Sequence, residues 1–190
     1  MINYFGPSSC TRPCVLPAYE KTGRFVIEPK FDGMFCMIEV DSFGSFNFFT
    51  RGHRRISDTF TSSLRDLKIS ELKDSMFLCE LEALRPWSKK RVAERSYTIA
   101  DVYDVFMLHN RDVRKESFEK RRTILAETMS IDSRFLKVVE QSDKNFLSFY
   151  ERFRNLGYEG CVLKEKNANG FSHNKDGKVK TQIKVKEFGE

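Results

Sequence analysis

The sequence predicts an α+β fold of largely antiparallel sheets, and three observations carry that prediction. Short apolar, β-branched and aromatic runs come in adjacent pairs separated by turn residues. Two longer segments repeat their apolar residues with helical periodicity. Helices fall between groups of strands and not after each strand, which excludes regular βαβ alternation.

The elements follow in order. Residues 1–23 carry Pro7, Pro13 and Pro17 among small residues and read as an irregular lead-in to one domain over 24–190. Arg24–Glu28 reads as a strand, Met34–Val40 as a second and Ser45–Thr50 as a third. A turn at Asp41-Ser42-Phe43-Gly44 joins the last two. Ser57–Lys68 is expected to be helical, and Met76–Leu84 and Tyr97–Leu108 to be strands. Ser117–Met129 reads as a helix with Phe118, Leu125 and Met129 on one face. Asp143–Leu156 is the clearest helix, because Phe146, Phe149, Tyr150, Phe153 and Leu156 recur at helical spacing. Ser142 or Asp143 would cap its start and Gly157 would end it. Cys161–Lys166 and Lys178–Lys186 close the chain as strands.

Composition narrows the class. The chain has 190 residues, 40% hydrophobic and 32% charged, which is a globular and not a disordered balance. No apolar run is long enough to span a bilayer and no signal peptide opens the chain, so an intracellular, soluble monomer is expected. Five cysteines are widely spread; Cys36, Cys79 and Cys161 sit in apolar runs, as core thiols do. Cys10 and Cys14 lack a second ligand pair, which argues against zinc. Thirty-three basic against 27 acidic residues leave a net charge of +6. The excess is local. Arg85, Lys89, Lys90, Arg91 and Arg95 surround Trp87, and lysines crowd Lys164 to Lys186. Such runs suit a polyanionic partner.

The first chemical signal is Glu28-Pro29-Lys30-Phe31-Asp32-Gly33, which places Lys30 at a strand end beside a glycine. Lysine becomes a nucleophile where desolvation or neighbouring cations disfavour the protonated amine. Alone, a K-x-D-G pattern also marks an ordinary surface turn. Further elements follow it in order: Thr50-Arg51-Gly52; Leu78-Cys79-Glu80-Leu81-Glu82, with acids inside an apolar strand; Ala100-Asp101-Val102-Tyr103-Asp104; Glu159-Gly160-Cys161-Val162-Leu163-Lys164; and Lys184-Val185-Lys186, whose lysines share one face of a strand.

That set and order resembles the covalent nucleotidyltransferases, namely ATP-dependent DNA ligases, RNA ligases and mRNA capping enzymes. The resemblance covers residues 24 to 186 and is strongest to the adenylation domain of ATP-dependent DNA ligases. Glu28 to Gly33 is similar to their E-P-K-Y-D-G motif. Asp104 through Asp112 is similar to their F-D-L-L-Y-L-N-G-x-D stretch, and Phe118-Glu119-Lys120-Arg121-Arg122 to the L-x-E-R-R helix start. The resemblance implies an ATP-grasp-like nucleotidyltransferase fold of two antiparallel sheets with flanking helices and a nucleotide cleft between the sheets. It implies that Lys30 attacks the α-phosphate of ATP to form lysyl-AMP, oriented by Asp32. Glu28 and Tyr103 would bind the nucleotide, Tyr103 stacking on adenine. Arg51 and Glu80 would hold the ribose hydroxyls and the neighbouring phosphate, with Glu82 as an alternative to Glu80. Glu159, with Glu80 and Asp32, would hold Mg²⁺ or Mn²⁺, and Lys164, Lys184 and Lys186 would neutralise phosphates. Arg54, Arg55, Lys89, Lys90 and Arg91 would contact nicked DNA or an RNA-containing duplex. An RNA ligase, a GTP-using capping enzyme, and a non-catalytic nucleic-acid-binding module of the same fold are the alternatives.

The sequence departs from the family pattern at four places. Phe35 stands where the ligases carry arginine. Leu78-Cys79-Glu80 keeps only the glutamate of D-G-E. No tryptophan precedes Lys184. The OB-fold domain that the family carries after this point does not follow Lys186 in this sequence, which is expected to be an excised catalytic domain, a minimal ligase, or one part of a larger system completed by an OB-fold domain or partner.

Overall fold

A computed structural model describes residues 7–57, 61, 69–83, 97–129, 135–170 and 179–187. The expected helix over Ser57–Lys68 and the cationic cluster from Arg85 to Arg95 lie almost wholly outside these residues. The 24–190 stretch read as one domain folds, together with the preceding residues, as two compact units. One is Met1–Asp32, Lys115–Glu119 and Val139–Glu190; the other is Gly33–Arg114 and Lys120–Val138.

The first unit holds a four-stranded sheet of β1 (Pro7–Thr11), β2 (Phe25–Lys30), β9 (Gly160–Glu165) and β10 (Val179–Val185), in the order β1-β10-β9-β2. All pairings are antiparallel except β1 with β10, which is parallel. The lead-in is therefore not irregular. Its first residues add an edge strand, and Leu16–Lys21 forms helix α1. The segment Pro-Ser-Ser-Cys-Thr lacks the alternation that marks a strand, and it takes its extended shape from backbone pairing to β10, far away in sequence. Helix α3 (Phe146–Asn155) buries Phe146, Phe149, Tyr150 and Phe153 against Phe25, Ile27, Cys161 and Leu163.

Helix α3 starts later than its periodicity suggests, and neither Ser142 nor Asp143 caps it. Ser142 is engaged elsewhere, exchanging two backbone hydrogen bonds with Ile27 on the outer edge of β2. The carboxylate of Glu20, on α1, accepts from the N–H groups of Asn145 and Phe146 at 2.7 and 3.0 Å, satisfying donors that a helix start leaves open. Gly157, at φ +91°, ends the helix as expected. Leu156 lies past the last turn and is 66% exposed, so it is not part of the apolar face.

The second unit holds a larger sheet in the order β4-β3-β5-β6-β7: β3 (Met34–Val40), β4 (Phe46–Phe49), β5 (Ser75–Ala83), β6 (Tyr97–Leu108) and β7 (Arg111–Asp112). Strand β8 (Leu136–Val138) joins β6 in parallel; all other pairings are antiparallel. Alternation sorts the side chains. Cys36, Ile38, Phe77, Cys79, Leu81, Ala100 and Val102 enter one core with Leu125 and Met129. Phe35, Glu80, Glu82, Asp101 and Tyr103 take the opposite face. The turn before β4 is held by the Asp41 carboxylate, which accepts from the N–H groups of Phe43 and Ser45. Helix α2 (Phe118–Thr128) carries Arg121, whose guanidinium donates to both oxygens of Asp104 on β6 at 2.8 and 3.0 Å, both side chains 3% exposed.

Candidate active site

Lys30 is the last residue of β2, an edge strand, where Pro29 is tolerated because fewer backbone N–H groups are needed. Its ammonium donates to the carboxylate of Glu159, 129 residues away in sequence. The register explains the meeting, since Lys30 pairs with Gly160 on β9. The two turns are also pinned by rings. Phe31 packs edge-on against Tyr158 at 5.3 Å, and Tyr158 against Phe153 at 5.1 Å. Arg154 at the end of α3 donates to the carbonyls of Tyr158 and Glu159, fixing the backbone that presents the acid.

Gly160 is required here by space. A Cβ on it would lie 2.2 Å from the carbonyl oxygen of Val185, so β9 and β10 can approach this closely only at a glycine. That approach brings Lys186 to Glu159, Nζ to Oε1 at 3.2 Å. One carboxylate thus serves two ammonium groups. Partial burial pushes the Glu159 pKa up, but hydrogen bonds and charge from Lys30 and Lys186 outweigh it and hold the group below its ordinary value.

Farther along the same face, Glu28 and Lys164 form an ion pair of 2.6 Å, with side chains only 3% and 5% exposed. They are diagonal neighbours across β2 and β9. Lys164 also lies 4.9 Å from the ring centroid of Phe118. A lysine expected from sequence to face phosphate is therefore buried against a carboxylate. The other carboxylate oxygen of Glu28, Oε1, is buried and without a hydrogen-bond partner among the described residues. Lys184 is half-buried on β10 and Asp32 is exposed after β2.

The remaining candidates lie in the second unit. Arg51 follows β4 and places its guanidinium 5.0 Å over the ring of Phe35, the residue that stands in the arginine position. Phe35 is in register with Glu80, and Glu80 with Asp101. Glu80 and not Glu82 therefore shares a row with the Arg51 platform; Glu82 is opposite Ile99. Gly33 makes room for this row, since a Cβ there would lie 2.5 Å from the Leu81 carbonyl oxygen and 2.7 Å from the Glu80 side chain. Tyr103 is 9% exposed on β6, and Arg54 and Arg55 are exposed after β4. Lys89, Lys90 and Arg91 lie outside the described residues.

Sequence reasoning passed over Asp101. Burial, then the nearby charge of Glu82, pushes its carboxyl up to about 7 against the opposing charge of Lys137, and burial likewise raises Glu82. The signal was present, because an acid two residues before Tyr103 has to share the face of that ring.

Comparisons with known proteins agree with this architecture. The chain matches the family described as ATP dependent DNA ligase domain over residues 83–186, more than half of its length. No match is found among curated protein sequences. Among solved structures it is similar to a mycobacterial DNA ligase D complexed with ATP (20% identity, TM-score 0.68, covering 97% of this chain and 61% of that one). It is similar to the ligase domain of M. tuberculosis DNA ligase D (18% identity, TM-score 0.71, 96% and 58%). It also resembles the ATP-dependent DNA ligase of bacteriophage T7 in complex with ATP (18% identity, TM-score 0.60, 98% and 69%). The chain spans about three-fifths of the two DNA ligase D chains. The chain belongs to the ATP dependent DNA ligase domain family.

Proposed function

We propose that this chain takes AMP from ATP onto Lys30 and passes it to a 5′-phosphate at a nick, which a neighbouring 3′-hydroxyl then seals with release of AMP. The carrying observation is the Lys30–Glu159–Lys186 cluster. In the first step the Lys30 nitrogen forms a bond to the α-phosphorus, and the bond to the β-phosphate oxygen breaks, releasing pyrophosphate. The amine must first release a proton to solvent, which the neighbouring lysine charges favour. Glu159 orients that amine, but a carboxylate held below its ordinary pKa is a poor proton acceptor, so it positions Lys30 and does not serve as the base. Lys186, with Lys184 on the same strand face, supplies positive charge for the developing phosphate oxygens.

Glu159 also suits a divalent cation. Mg²⁺ prefers hard oxygen ligands and is commonly held by one or two carboxylates together with substrate phosphates. No group of three acidic, histidine or cysteine side chains among the described residues is arranged to hold a metal on its own. That fits a site completed by ATP, with Glu159 as the protein ligand and Asp32 and Glu80 as further candidates. Bound there, Mg²⁺ or Mn²⁺ would neutralise phosphate charge and favour departure of pyrophosphate.

We assign the nucleotide contacts to Glu28, Arg51, Glu80 and Tyr103. The unpartnered Glu28 Oε1 is an acceptor. It suits the exocyclic amine of adenine and opposes the carbonyl of guanine, which favours ATP over GTP. Arg54, Arg55, Lys89, Lys90 and Arg91 are assigned to the nucleic acid. Incubation with ATP and Mg²⁺ followed by mass spectrometry should find one added AMP, mapped to Lys30. Lys30→Arg should lose it, because a guanidinium stays protonated. An adduct mapped elsewhere, or none, overturns the assignment.

A further inference from the structure

Directly opposed residues of neighbouring strands project to the same face of a sheet. The registers Phe35↔Glu80, Glu80↔Asp101 and Asp101↔Lys137 therefore line up four side chains across β3, β5, β6 and β8. Tyr103, two residues along β6 from Asp101, shares their face. Asp101 is 6% exposed, and its Oδ2 has no hydrogen-bond partner among the described residues. Lys137, opposite on β8, is exposed and makes no ion pair with it among the described residues. Buried polar atoms are nearly always paired, and an exception marks a place where a ligand group can supply the missing partner. No group of three acidic, histidine or cysteine side chains among the described residues could hold a metal ion at Asp101 on its own, whereas a group that donates a hydrogen bond satisfies Oδ2 directly.

We propose that Asp101 recognises the sugar of the bound nucleotide, its free carboxyl oxygen pairing with a ribose hydroxyl beside the one contacted by Glu80. This rests on the nucleotide-binding reading of Glu80 and Tyr103 given above. Cβ atoms of directly opposed residues lie about 4.5–5.5 Å apart. That separation lets two carboxyls reach the two neighbouring hydroxyls of one ribose. A hydroxyl both donates and accepts, so it satisfies Oδ2 whether or not the carboxyl holds a proton. Asp101 thereby sets selectivity for a ribonucleotide over its deoxy analogue.

The test is calorimetric titration of the full chain with ATP, 2′-deoxy-ATP and 3′-deoxy-ATP, with a melting curve for each variant. Wild type should prefer ATP over one deoxy analogue by about tenfold, as one hydrogen bond to a buried group implies. Asp101→Leu should abolish that preference by weakening ATP and the analogue that keeps the contacted hydroxyl while leaving the analogue that lacks it unchanged, and Asp101→Asn, which keeps a hydrogen-bonding group, should retain most of the preference. An unchanged preference in Asp101→Leu overturns the proposal. So does an equal loss for all three nucleotides, which is the mark of a packing defect. If Asp101→Leu does not fold, Asp101→Ala makes the same comparison. Wild type that binds none of the three overturns the nucleotide-binding reading itself, and the sugar contact with it.

Discussion

Glu159 stands between two ammonium groups, so its removal should do more than delete a ligand. Glu159→Gln leaves Lys30 and Lys186 facing each other without a counter-charge. Lysyl-AMP formation should fall on the order of a hundredfold, the scale of losing one well-placed electrostatic group. Labelling with α-labelled ATP measures it, and near wild-type labelling would reduce Glu159 to a surface acid. The pH dependence of stability separates two acids. The Glu159 contacts are fully present above the ordinary carboxylate range and vanish only as pH falls through its lowered value. Asp101 behaves oppositely. Its carboxyl is raised to about 7, so the folded state holds its proton longer than the unfolded chain, and stability declines as pH climbs from the ordinary carboxylate value through about 7. Asp101→Asn should therefore raise the melting temperature at pH 8 and have little effect near pH 4. A pH-independent difference would dissociate the effect from that proton. Little of this was legible in the sequence. The motif pointed to Lys30 and Glu159, but nothing local indicated that Lys164 would be buried against Glu28, because that pair depends on the diagonal register of β2 and β9.

At the scale of elements, the clearest expectations were those set by alternation. Met34–Val40 and Tyr97–Leu108 begin and end where the pattern of apolar and β-branched residues says they should. Strand β1 and the Glu20 cap escaped because both depend on partners distant in sequence, a parallel strand and a helix start. Two elements carry sharp predictions. Gly160→Ala drives a methyl to within 2.2 Å of the Val185 backbone. Strands β9 and β10 must then part, at about 1–3 kcal/mol, and Glu159 must separate from Lys186. Denaturant unfolding and AMP labelling should both report the change; a variant with normal labelling would mean that the strands slide without cost. The Asp104–Arg121 pair ties α2 to β6. Asp104→Ala removes the carboxylate paired with a buried guanidinium and should cost about 3–5 kcal/mol, whereas replacing both residues by apolar ones of similar size should be nearly neutral. Equal losses in the single and double variants would contradict that account.

For the whole molecule, the net charge of +6 bears on nucleic acid more than on fold. Each phosphate neutralised steepens the fall of affinity with salt by about 0.9 in the logarithmic slope. Replacing Arg54 and Arg55 by alanine should reduce the slope for a nicked duplex by about two and weaken binding at low salt. An unchanged slope would place those arginines away from the duplex. The two-sheet α+β architecture was legible in the grouping of strands, whereas the partition into units was not. The boundary falls between Asp32 and Gly33, inside the motif itself, and no composition shift marks it.

The interrupted first unit has a consequence for how the protein is made. Strand β2 is synthesised early, yet its strand partner β9 lies 129 residues later at the Lys30–Glu159 contact, and β10 comes later still. Residues 33–114, by contrast, supply most of the second sheet from one continuous stretch. On a ribosome the second unit can therefore settle first, while Lys30 waits on an unpaired strand. Long-range pairing is slow because loop closure precedes any gain from contacts. A nascent chain lacking β9 and β10 would hold Lys30 without the carboxylate that pairs with it. The Lys30–Glu159 pair therefore forms late, only once β9 has been made.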